Sequence, residues 1–351
     1  MKTLSLQGDH HEMGRQHGQQ VPELRDRIVA TMEARLRTLG RREGEEAVLL
    51  DLEKAWGEIA PTTLAMLRGM AEALALPSFR LFEYATASYL EDCRRGAAKA
   101  EGCTVWAASG SATRNGSPML SKNRDYALEH LPLQVLADAA PRQGHRYVYV
   151  TSAGSPAVFS SGMNERGLAV ADTHVPSRDI GPGLARYTLM MNLLERYEDV
   201  ASVLVYLREA PQMGSGNLVL ADAAGGLAIC ESGYRRHGVM HPVENALVAT
   251  NHFTSAALRD AYLEARDGAY ADSVARQEAV RAALMTAHGA LDVQYAKALM
   301  ARHADPGPAI CRHRAGEDAA TISNVIFLPA ERQLHFCHGT PCQSTYEAYS
   351  L

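Results

Sequence analysis

The sequence lacks the features that would direct it to a membrane, to nucleic acid or out of the cell. No apolar run approaches the ~20 residues that a membrane-spanning helix needs. Residues 1–10 contain no apolar core of the kind found in signal peptides. The formal net charge is −5 and the pI is near 6.3, so there is no surplus of basic residues for nucleic acid. We therefore expect a cytoplasmic protein whose partners include neither a membrane nor nucleic acid.

Cysteine is scarce and irregularly spaced, and metal-binding motifs are missing. The six cysteines include no CxxC pair, which favours reduced, mostly buried thiols over a disulfide framework. Cys337 and Cys342 are close enough to pair within a hairpin, an interpretation that we do not favour. The 14 histidines include no HExxH motif, and their closest clusters are His10, His11 and His17, and His303 and His313. Neither cluster has a matching set of soft ligands, so we predict no metal and no other cofactor.

Internal repeats and low-complexity linkers are also missing, so nothing divides the chain into separate domains. A hydrophobic content of 46% with 21% charged residues is typical of a globular protein, and 351 residues can bury a substantial core. The pattern changes at one point, because residues 1–102 show helical periodicity without strand signals and residues 103–351 begin with short strands. We predict one compact domain built from these two segments.

Helices are predicted throughout the first segment. Apolar residues at spacings of three and four indicate a helix from Val21 to about Leu39. Further helices are expected at about 44–59, 61–74 and 77–93. Pro61 suits the first position of a helix, where its missing N–H is not needed. Residues 94–100 are expected to form an exposed connector.

Strands dominate the predictions after residue 102. They are expected at 103–109, 117–122, 146–151, 156–161, 167–172, 217–222, 226–231, 247–250, 321–328 and 334–337. Asn115-Gly116 is typical of a tight hairpin turn, which would bring Cys103 to the same end of the sheet as residues 122–125. With helices predicted at about 188–207 and within 256–303, the expected fold is α+β, with helical layers flanking antiparallel sheets.

The Gly102-Cys103 peptide is the candidate reactive position. Gly102 can reach backbone conformations closed to other residues, and the Cys103 thiol lies within ring-closing reach of the preceding carbonyl. Self-cleavage there would create an α-amine (pKa ~7.7–8.0) beside a thiol (pKa ~8.5), so one residue would supply both base and nucleophile. From these residues alone, the commoner interpretation is a small core residue at the start of a strand.

Several short motifs follow one another in a recognisable order. They are GRQHG at 14–18, EGCT at 101–104, SKNRDY at 121–126, GMNERGL at 162–168, TNH at 250–252 and the strand at 321–329. In these motifs the chain resembles the N-terminal-nucleophile hydrolases of the acyl-coenzyme A:6-aminopenicillanic acid acyltransferase family. It is similar, more distantly, to the bile-salt hydrolase and penicillin V acylase family. The resemblance implies an αββα sandwich and a precursor that cuts itself between Gly102 and Cys103, with residues 1–102 staying bound to 103–351.

The resemblance also assigns roles to individual side chains. Cys103 would be the nucleophile, and Asp125 matches an aspartate that holds the new amine. Lys122 stands where the bile-salt hydrolases have an arginine, and a cation there would lower the pKa of the thiol. Asn251 matches the asparagine that donates to the oxyanion, and His174 stands where a second oxyanion asparagine occurs in the bile-salt hydrolases. The alternatives are a turn carboxylate for Asp125, a strand-end cap for Asn251 and an ordinary buried histidine for His174.

The predicted activity is that of an amidohydrolase or acyltransferase that acts on a small N-acyl amide through an acyl-Cys103 intermediate. The candidate substrate-binding residues are Asn123, Arg186, His252, Ser323 and Asn324. Transfer from acyl-coenzyme A is the alternative outcome. No glycine-rich basic stretch indicates a phosphate site, but scattered arginines such as Arg186, Arg235 and Arg236 can also hold phosphates. A non-catalytic binding protein on the same scaffold and a papain-like protease are rival interpretations. The sequence is also compatible with a homo-oligomer.

Overall fold

The computed structural model describes residues 2–94, 102–264, 268–303, 307–313 and 318–351. Its strands are β1 (Lys2–Gly8), β2 (Thr104–Gly110), β3 (Gly116–Ala127), β4 (Gln134–Pro141), β5 (Tyr147–Ser152), β6 (Ser161–Asn164), β7 (Ala169–His174), β8 (Gly216–Ala221), β9 (Leu227–Ser232), β10 (His237–Met240), β11 (Ala246–Ala249), β12 (Ala319–Leu328), β13 (Gln333–His338) and β14 (Tyr346–Ser350). Its α-helices are α1 (His10–Gln19), α2 (Arg25–Leu39), α3 (Glu45–Ile59), α4 (Pro61–Leu74), α5 (Ser78–Ala85), α6 (Ala87–Cys93), α7 (Arg186–Arg196), α8 (Val200–Glu209), α9 (Ala269–Thr286) and α10 (Val293–Met300). Within these ranges, no helix has the length and apolar character to cross a bilayer.

The strands form two sheets. The eight-stranded sheet has the order β1-β4-β5-β6-β7-β8-β9-β10, and the six-stranded sheet has the order β11-β2-β3-β12-β13-β14. Neighbouring strands are antiparallel, with the exception of β1, which runs parallel to β4. Residues from both sides of Cys103 therefore share one sheet.

Three hydrophobic clusters separate four layers. The first, around Trp56, fills the space between helices α1–α8 and the eight-stranded sheet. The second, which includes Val105, lies between the two sheets. The third joins Trp106 of the six-stranded sheet to α9 and α10. Val105 and Trp106 are successive residues of β2 and enter different clusters because side chains alternate along a strand. The predicted αββα sandwich is confirmed.

The local predictions after Cys103 agree well with the structure. The Asn115-Gly116 turn joins β2 and β3 as an antiparallel pair with Thr104 opposite Asn123. The hairpin at 217–231 is β8 and β9, and the strand at 247–250 is β11. These elements were predictable because both strands of each hairpin, and the turn between them, are close together in the sequence.

Other predictions were wrong. The first segment does contain a strand, β1. Only two of its side chains, Leu4 and Leu6, are buried and apolar, so its alternation of apolar and polar residues was too short to predict a strand. The polar stretch before Val21 is helix α1, and the long helix predicted at 188–207 is broken into α7 and α8. Residues 156–160 form no strand, whereas β4, β10 and β14 were missed. The predicted connector at 94–100 lies, except for Arg94, outside the described residues.

Helices α1 and α4 pack with their backbones in direct contact. A Cβ added at Gly14 would lie 1.9 Å from the carbonyl oxygen of Met66, and one added at Gly69 would lie 2.0 Å from that of His11. His17, on the same helix as Gly14, is fully buried and accepts a hydrogen bond from the Gly154 N–H at 3.2 Å. Burial lowers the pKa of His17 to about 4. The GRQHG motif therefore serves the packing of the outer helical layer.

We predict that Gly69→Ala destabilises the protein by about 1–3 kcal/mol, because the new methyl group overpacks a contact between two helix backbones. Gly57→Ala is the matched control, since Gly57 lies on the exposed side of α3 with no heavy atom within 4 Å of an added Cβ. The control should be neutral or gain up to ~1 kcal/mol from helix propensity. Urea unfolding measures the free energy of unfolding of each variant in a Cys103→Ala background. Equal stability of Gly69→Ala and Gly57→Ala would contradict the packing argument.

Candidate active site

Pairing of β2 with β3 brings Cys103 to Asp125. Cys103 directly precedes β2, and the register of the pair places the end of β3 beside it. The Cys103 thiol donates a weak hydrogen bond to the main-chain oxygen of Asp125, with Sγ and O 3.7 Å apart. Both residues are buried. The sequence-based expectation that Cys103 and residues 122–125 meet is confirmed.

Gly102 is packed against two charged side chains. A Cβ added to it would lie 1.7 Å from Nη1 of Arg312 and 2.7 Å from Oδ2 of Asp125. Any side chain at this position would therefore displace Arg312 and crowd the Asp125 carboxylate. These short distances also mean that the Asp125 carboxylate lies next to the Cα of Gly102. That Cα is two covalent bonds from the nitrogen of Cys103, so the carboxylate is close to the Gly102-Cys103 peptide.

The Asp125 carboxyl group is held from two sides. Its Oδ1 accepts a hydrogen bond from the Thr321 hydroxyl at 2.7 Å, and its Oδ2 lies 3.8 Å from Nε of Arg312. Burial raises the pKa of Asp125 to about 6, although Arg312 and Thr321 act in the opposite direction. A carboxyl group with this pKa can exchange a proton near neutral pH, which is typical of functional sites.

Arg276 of α9 connects Cys103 to Asn251. Its Nη1 donates to the main-chain oxygen of Cys103 at 2.9 Å, and its Nη2 donates to Oδ1 of Asn251 at 3.1 Å. Its Nε donates to Asp272 at 3.0 Å, and the side chain is 1% exposed. Sequence reasoning missed this residue. The available signal was an arginine that shares the buried face of a helix with Val280 and Leu284.

Asn251 follows β11 and lies level with Cys103. The register of β11 with β2 pairs Ala249 with Val105, and its continuation sets Asn251 opposite Cys103. The Asn251 Nδ2 donates to the main-chain oxygen of His174 at 2.9 Å, and the Asn251 N–H donates to Oγ of Ser273 at 2.8 Å. His174 and Arg276 thus hold the side-chain amide of a residue that lies opposite Cys103 in the strand register.

The predicted cation, Lys122, belongs to a buried ionic group. Its Nζ is 2.6 Å from Oδ1 of Asp172 and 3.1 Å from the main-chain oxygen of Ser160, while Arg186 Nε is 3.0 Å from Oδ2 of Asp172. Burial acts to raise the pKa of Asp172, but Lys122 and Arg186 together outweigh it and hold that pKa below its ordinary value. Asp172, on β7, was not a sequence candidate because nothing local marks it.

One cleft brings several of the predicted residues together. Its empty space, including the open mouth, is about 760 Å³. Cys103, Lys122, Asp125 and Arg186 line it. The apolar part of the lining consists of Tyr89, Phe159, Ile180, Tyr187 and Met213. A thiol, a titratable carboxyl group and an apolar wall thus face one space, as amide hydrolysis through a covalent intermediate requires.

His174 is directed towards the first segment of the chain. Its Nε2 lies 3.1 Å from Oδ2 of Asp92 on α6, and Asp92 also accepts a hydrogen bond from the Ser215 hydroxyl. Asp92 lines the cleft, whereas His174 is absent from the described lining. The imidazole therefore contacts the helix that precedes Gly102, and its main-chain oxygen positions Asn251.

The other substrate-binding candidates occupy structural positions. Asn123 donates from Nδ2 to the main-chain oxygens of residues 300 and 310, each at 2.9 Å, and Asn324 donates to Oδ1 of Asn123 at 2.8 Å. His252 Nδ1 lies 2.8 Å from the Ser273 hydroxyl, and burial lowers the pKa of His252 to about 4. Ser323 is buried on β12. In the part of the chain that the structure describes, the cleft lining includes none of these four residues, so we assign them to the scaffold. The described lining does not include Asn251 either, which remains a candidate because the strand register sets it opposite Cys103.

Four potential metal ligands meet outside the cleft. The donor atoms of His303, Cys311, His313 and Cys342 all lie within 4.8 Å of one another. The sequence-based statement that His303 and His313 lack soft partners was therefore wrong. The error arose because Cys342 lies in a turn that is distant in the sequence, and because Cys311 was interpreted as a buried core residue.

A comparison with known protein families shows the family of the chain. Residues 111–343 match the sequence profile of the acyl-coenzyme A:6-aminopenicillanic acid acyl-transferase family. The match covers well over half of the chain, so the chain belongs to this family and is an enzyme that acts on amide bonds. Because the matched region begins after Cys103, the assignment of the nucleophile depends on the geometry. No curated protein matches the chain by sequence.

Two kinds of solved structure are similar to the chain. One is a mutant of the conjugated bile acid hydrolase from Clostridium perfringens, with 13% identity, 71% of this chain and 97% of that chain covered, and a TM-score of 0.48. Another is the penicillin V acylase from Agrobacterium tumefaciens, with 14% identity, 67% and 83% covered, and a TM-score of 0.41. Family membership itself follows from the sequence match.

The raised pKa of Asp125 predicts a specific pH dependence of stability. A carboxyl group whose pKa rises on folding binds its proton more tightly in the folded chain, so its stabilising contribution is present at low pH and is lost as the pH rises through about 6. In a Cys103→Ala background, Asp125→Asn should remove this loss. The difference between the free energies of unfolding at pH 7 and at pH 4 should therefore be more favourable to pH 7 in Asp125→Asn than in its parent, by on the order of 2–3 kcal/mol.

Denaturant unfolding at a series of pH values measures the effect. Asp51→Asn, on the exposed side of α3, controls for the loss of one negative charge. Parallel stability profiles for Asp125→Asn and its parent would show that Asp125 does not titrate as the geometry implies.

Proposed function

We propose that the chain is a precursor that cuts itself between Gly102 and Cys103 and then acts as an N-terminal cysteine amidohydrolase. The observation that carries the proposal is the packing at Gly102. A glycine whose added Cβ would displace the Arg312 guanidinium and crowd the Asp125 carboxylate directly precedes a buried thiol, and the raised pKa of that aspartate places a titratable group beside the peptide between them. Membership of an acyl-transferring family supports the same chemistry.

Self-cleavage follows from the proposed roles. The Cys103 thiolate attacks the carbonyl carbon of Gly102, the peptide C–N bond breaks, and the nitrogen takes a proton to become the free α-amine. Water then hydrolyses the thioester, which restores the thiol and leaves a carboxylate on Gly102. Arg276, which holds the main-chain oxygen of Cys103, keeps the nucleophile in place before and after the cut. Asp125, whose carboxylate packs against Gly102, is proposed to hold the new ammonium group.

Turnover reuses the same groups on an external substrate. The amine of Cys103 takes the proton of the thiol, and the thiolate attacks the amide carbonyl. The side-chain amide of Asn251 donates one of its two hydrogens to the main-chain oxygen of His174. It is proposed to donate the other to the oxyanion. The protonated amine passes its proton to the leaving amine as the C–N bond breaks. The acyl-Cys103 thioester then reacts with water, or with an acceptor amine if one is bound.

The cleft supports a small N-acyl amide as substrate. Its apolar wall of Phe159, Ile180 and Tyr187 fits an apolar acyl group. Its charged lining combines Lys122, Arg124 and Arg186 with Asp92, Asp125 and Asp172, so cationic and acidic side chains are equal in number. This balance gives no reason to expect a highly anionic substrate. Arg236, a candidate for a coenzyme A phosphate, pairs instead with Asp260 at 2.9 Å.

The first segment is proposed to stay attached after cleavage. Strand β1 is hydrogen-bonded to β4 within the eight-stranded sheet, and helices α1–α6 supply much of the largest hydrophobic cluster. Separation of this segment would expose to water the part of that sheet face that α1–α6 cover, since only α7 and α8 of the described helices would remain on it. The product is therefore expected to be a heterodimer of residues 1–102 and 103–351.

Intact mass under denaturing conditions tests the proposal. The wild-type protein should give two chains of 102 and 249 residues, roughly 11 and 27 kDa on average residue mass, and Cys103→Ala should give one chain of 38.1 kDa. Gly102→Ala should slow the cut, since its methyl group displaces Arg312 from Asp125. An uncut wild-type chain that also fails to react with a thiol electrophile at Cys103 would refute the proposal.

The oxyanion role of Asn251 predicts a kinetic effect. On N-acyl amino acids that the matured wild-type enzyme hydrolyses, Asn251→Ala should lower kcat by ~10²–10³-fold. Asn251→Asp is the matched variant, because it keeps the size of the side chain and the acceptor for Arg276 but removes the amide donor. It should lose activity to a similar extent. Because it also removes the donor to the main-chain oxygen of His174, its folding and self-cleavage are checked by denaturant unfolding and intact mass before the kinetics are compared. A kcat within a few-fold of wild type for Asn251→Asp would assign the oxyanion to another donor.

A further inference from the structure

A second cluster of reactive side chains lies outside the cleft, where three separate segments meet. His303 comes shortly after α10, Cys311 and His313 precede β12, and Cys342 lies in the turn between β13 and β14. Their donor atoms all lie within 4.8 Å of one another. The amidohydrolase chemistry proposed above uses none of the four residues.

Two of the distances within the cluster are close to those around a tetrahedral metal ion. Sγ of Cys311 and Sγ of Cys342 are 3.6 Å apart, and Nε2 of His313 is 3.1 Å from Sγ of Cys342. With Zn–S at about 2.3 Å and Zn–N at about 2.0–2.1 Å, tetrahedral geometry places sulfurs about 3.8 Å apart and a sulfur about 3.5 Å from a nitrogen. The two cysteines are free thiols.

The donor set selects the kind of metal. Two thiols and two imidazoles are borderline-soft ligands that suit zinc, whereas magnesium and calcium require oxygen. The rings of His303 and His313 are nearly perpendicular, at 88°, with centroids 4.9 Å apart, so they approach by an edge and are not stacked. Four protein ligands complete a tetrahedral shell, which is the arrangement of a structural site and not of a catalytic one.

We propose that His303, Cys311, His313 and Cys342 bind one zinc ion in a closed, structural site. Each thiol binds as a thiolate and releases its proton to solvent, no electron is transferred, and two thiolates neutralise the ion. The inference does not rest on the proposed amidohydrolase activity, because metal content can be measured without any reaction.

The site would anchor the segment that carries Arg312. This residue lies between Cys311 and His313 in the sequence, and its guanidinium packs against Gly102 and Asp125. The main-chain N–H of Arg312 also donates to the hydroxyl of Thr321, which in turn donates to Asp125. Zinc at this position would therefore stabilise the region next to the cleavage point without contacting the nucleophile.

Metal analysis of the full chain tests the proposal. Protein that is purified under reducing conditions from zinc-supplemented cells should hold about one zinc ion per chain. The double variant Cys311→Ser with Cys342→Ser should hold little or none. Cys337→Ser, which removes a buried thiol of β13 outside the cluster, is the matched control and should keep its zinc.

A second measurement uses wild-type protein alone, so it remains decisive if the double variant does not fold. Removal of zinc with a chelator, followed by cobalt(II), should produce the sulfur-to-metal charge-transfer absorption of a tetrahedral thiolate site. Addition of zinc should abolish that absorption and raise the midpoint of thermal unfolding in a concentration-dependent way.

Three results would overturn the proposal. One is reduced wild-type protein that contains no zinc and gives no cobalt–thiolate absorption. Another is full zinc content in the double variant. The third is a Cys311–Cys342 disulfide, found by peptide mass mapping in protein purified under reducing conditions.

Discussion

The buried guanidinium of Arg276 is the interaction on which the arrangement of the candidate site depends. Removal of a charged group from water costs several kcal/mol, so a side chain with 1% exposure must find acceptors within the protein. Those acceptors are the main-chain oxygen of Cys103, the amide oxygen of Asn251 and the carboxylate of Asp272. Because these groups come from the start of β2, the end of β11 and α9, one cation fixes three elements relative to one another. The nucleophile and the proposed oxyanion donor thereby share a common support.

The location of the site follows from the layers around it. Inside the sandwich the space between the sheets is filled by apolar side chains, so a charged group there needs a partner. Lys122, in the middle of β3, and Asp172, towards the end of β7, are such partners, with Nζ and Oδ1 2.6 Å apart. Helix α6 closes this end with Asp92, which contacts His174. The first segment of the chain therefore contributes to the cleft as well as to the core.

How much was predictable from sequence depended on the distance along the chain between interacting residues. The approach of Cys103 to Asp125 could be predicted because one tight turn determines the register of both strands. Arg276 and Thr321 could not, since they reach the site from elements that follow it by well over 100 residues and no local pattern indicates a contact. Asn123 was misassigned for a simpler reason: it is adjacent to Lys122 on β3, and adjacent residues of a strand face opposite sides.

Burial of the Asp125 carboxyl group, whose Oδ2 accepts no hydrogen bond from the described residues, costs stability at neutral pH, and burial raises its pKa for the same reason. Burial of this carboxyl group is offset only in part by Arg312 and Thr321, and its second oxygen lies 3.8 Å from the nearest guanidinium nitrogen. A group held in this unfavourable state keeps its position only if its neighbours are fixed from outside. Arg312 and Thr321 are joined by two hydrogen bonds, N–H to Oγ1 at 2.8 Å and N–H to O at 2.6 Å, so they move as one unit. The proposed zinc site anchors that unit on both sides of Arg312, which would let a destabilising carboxyl group remain next to the scissile peptide.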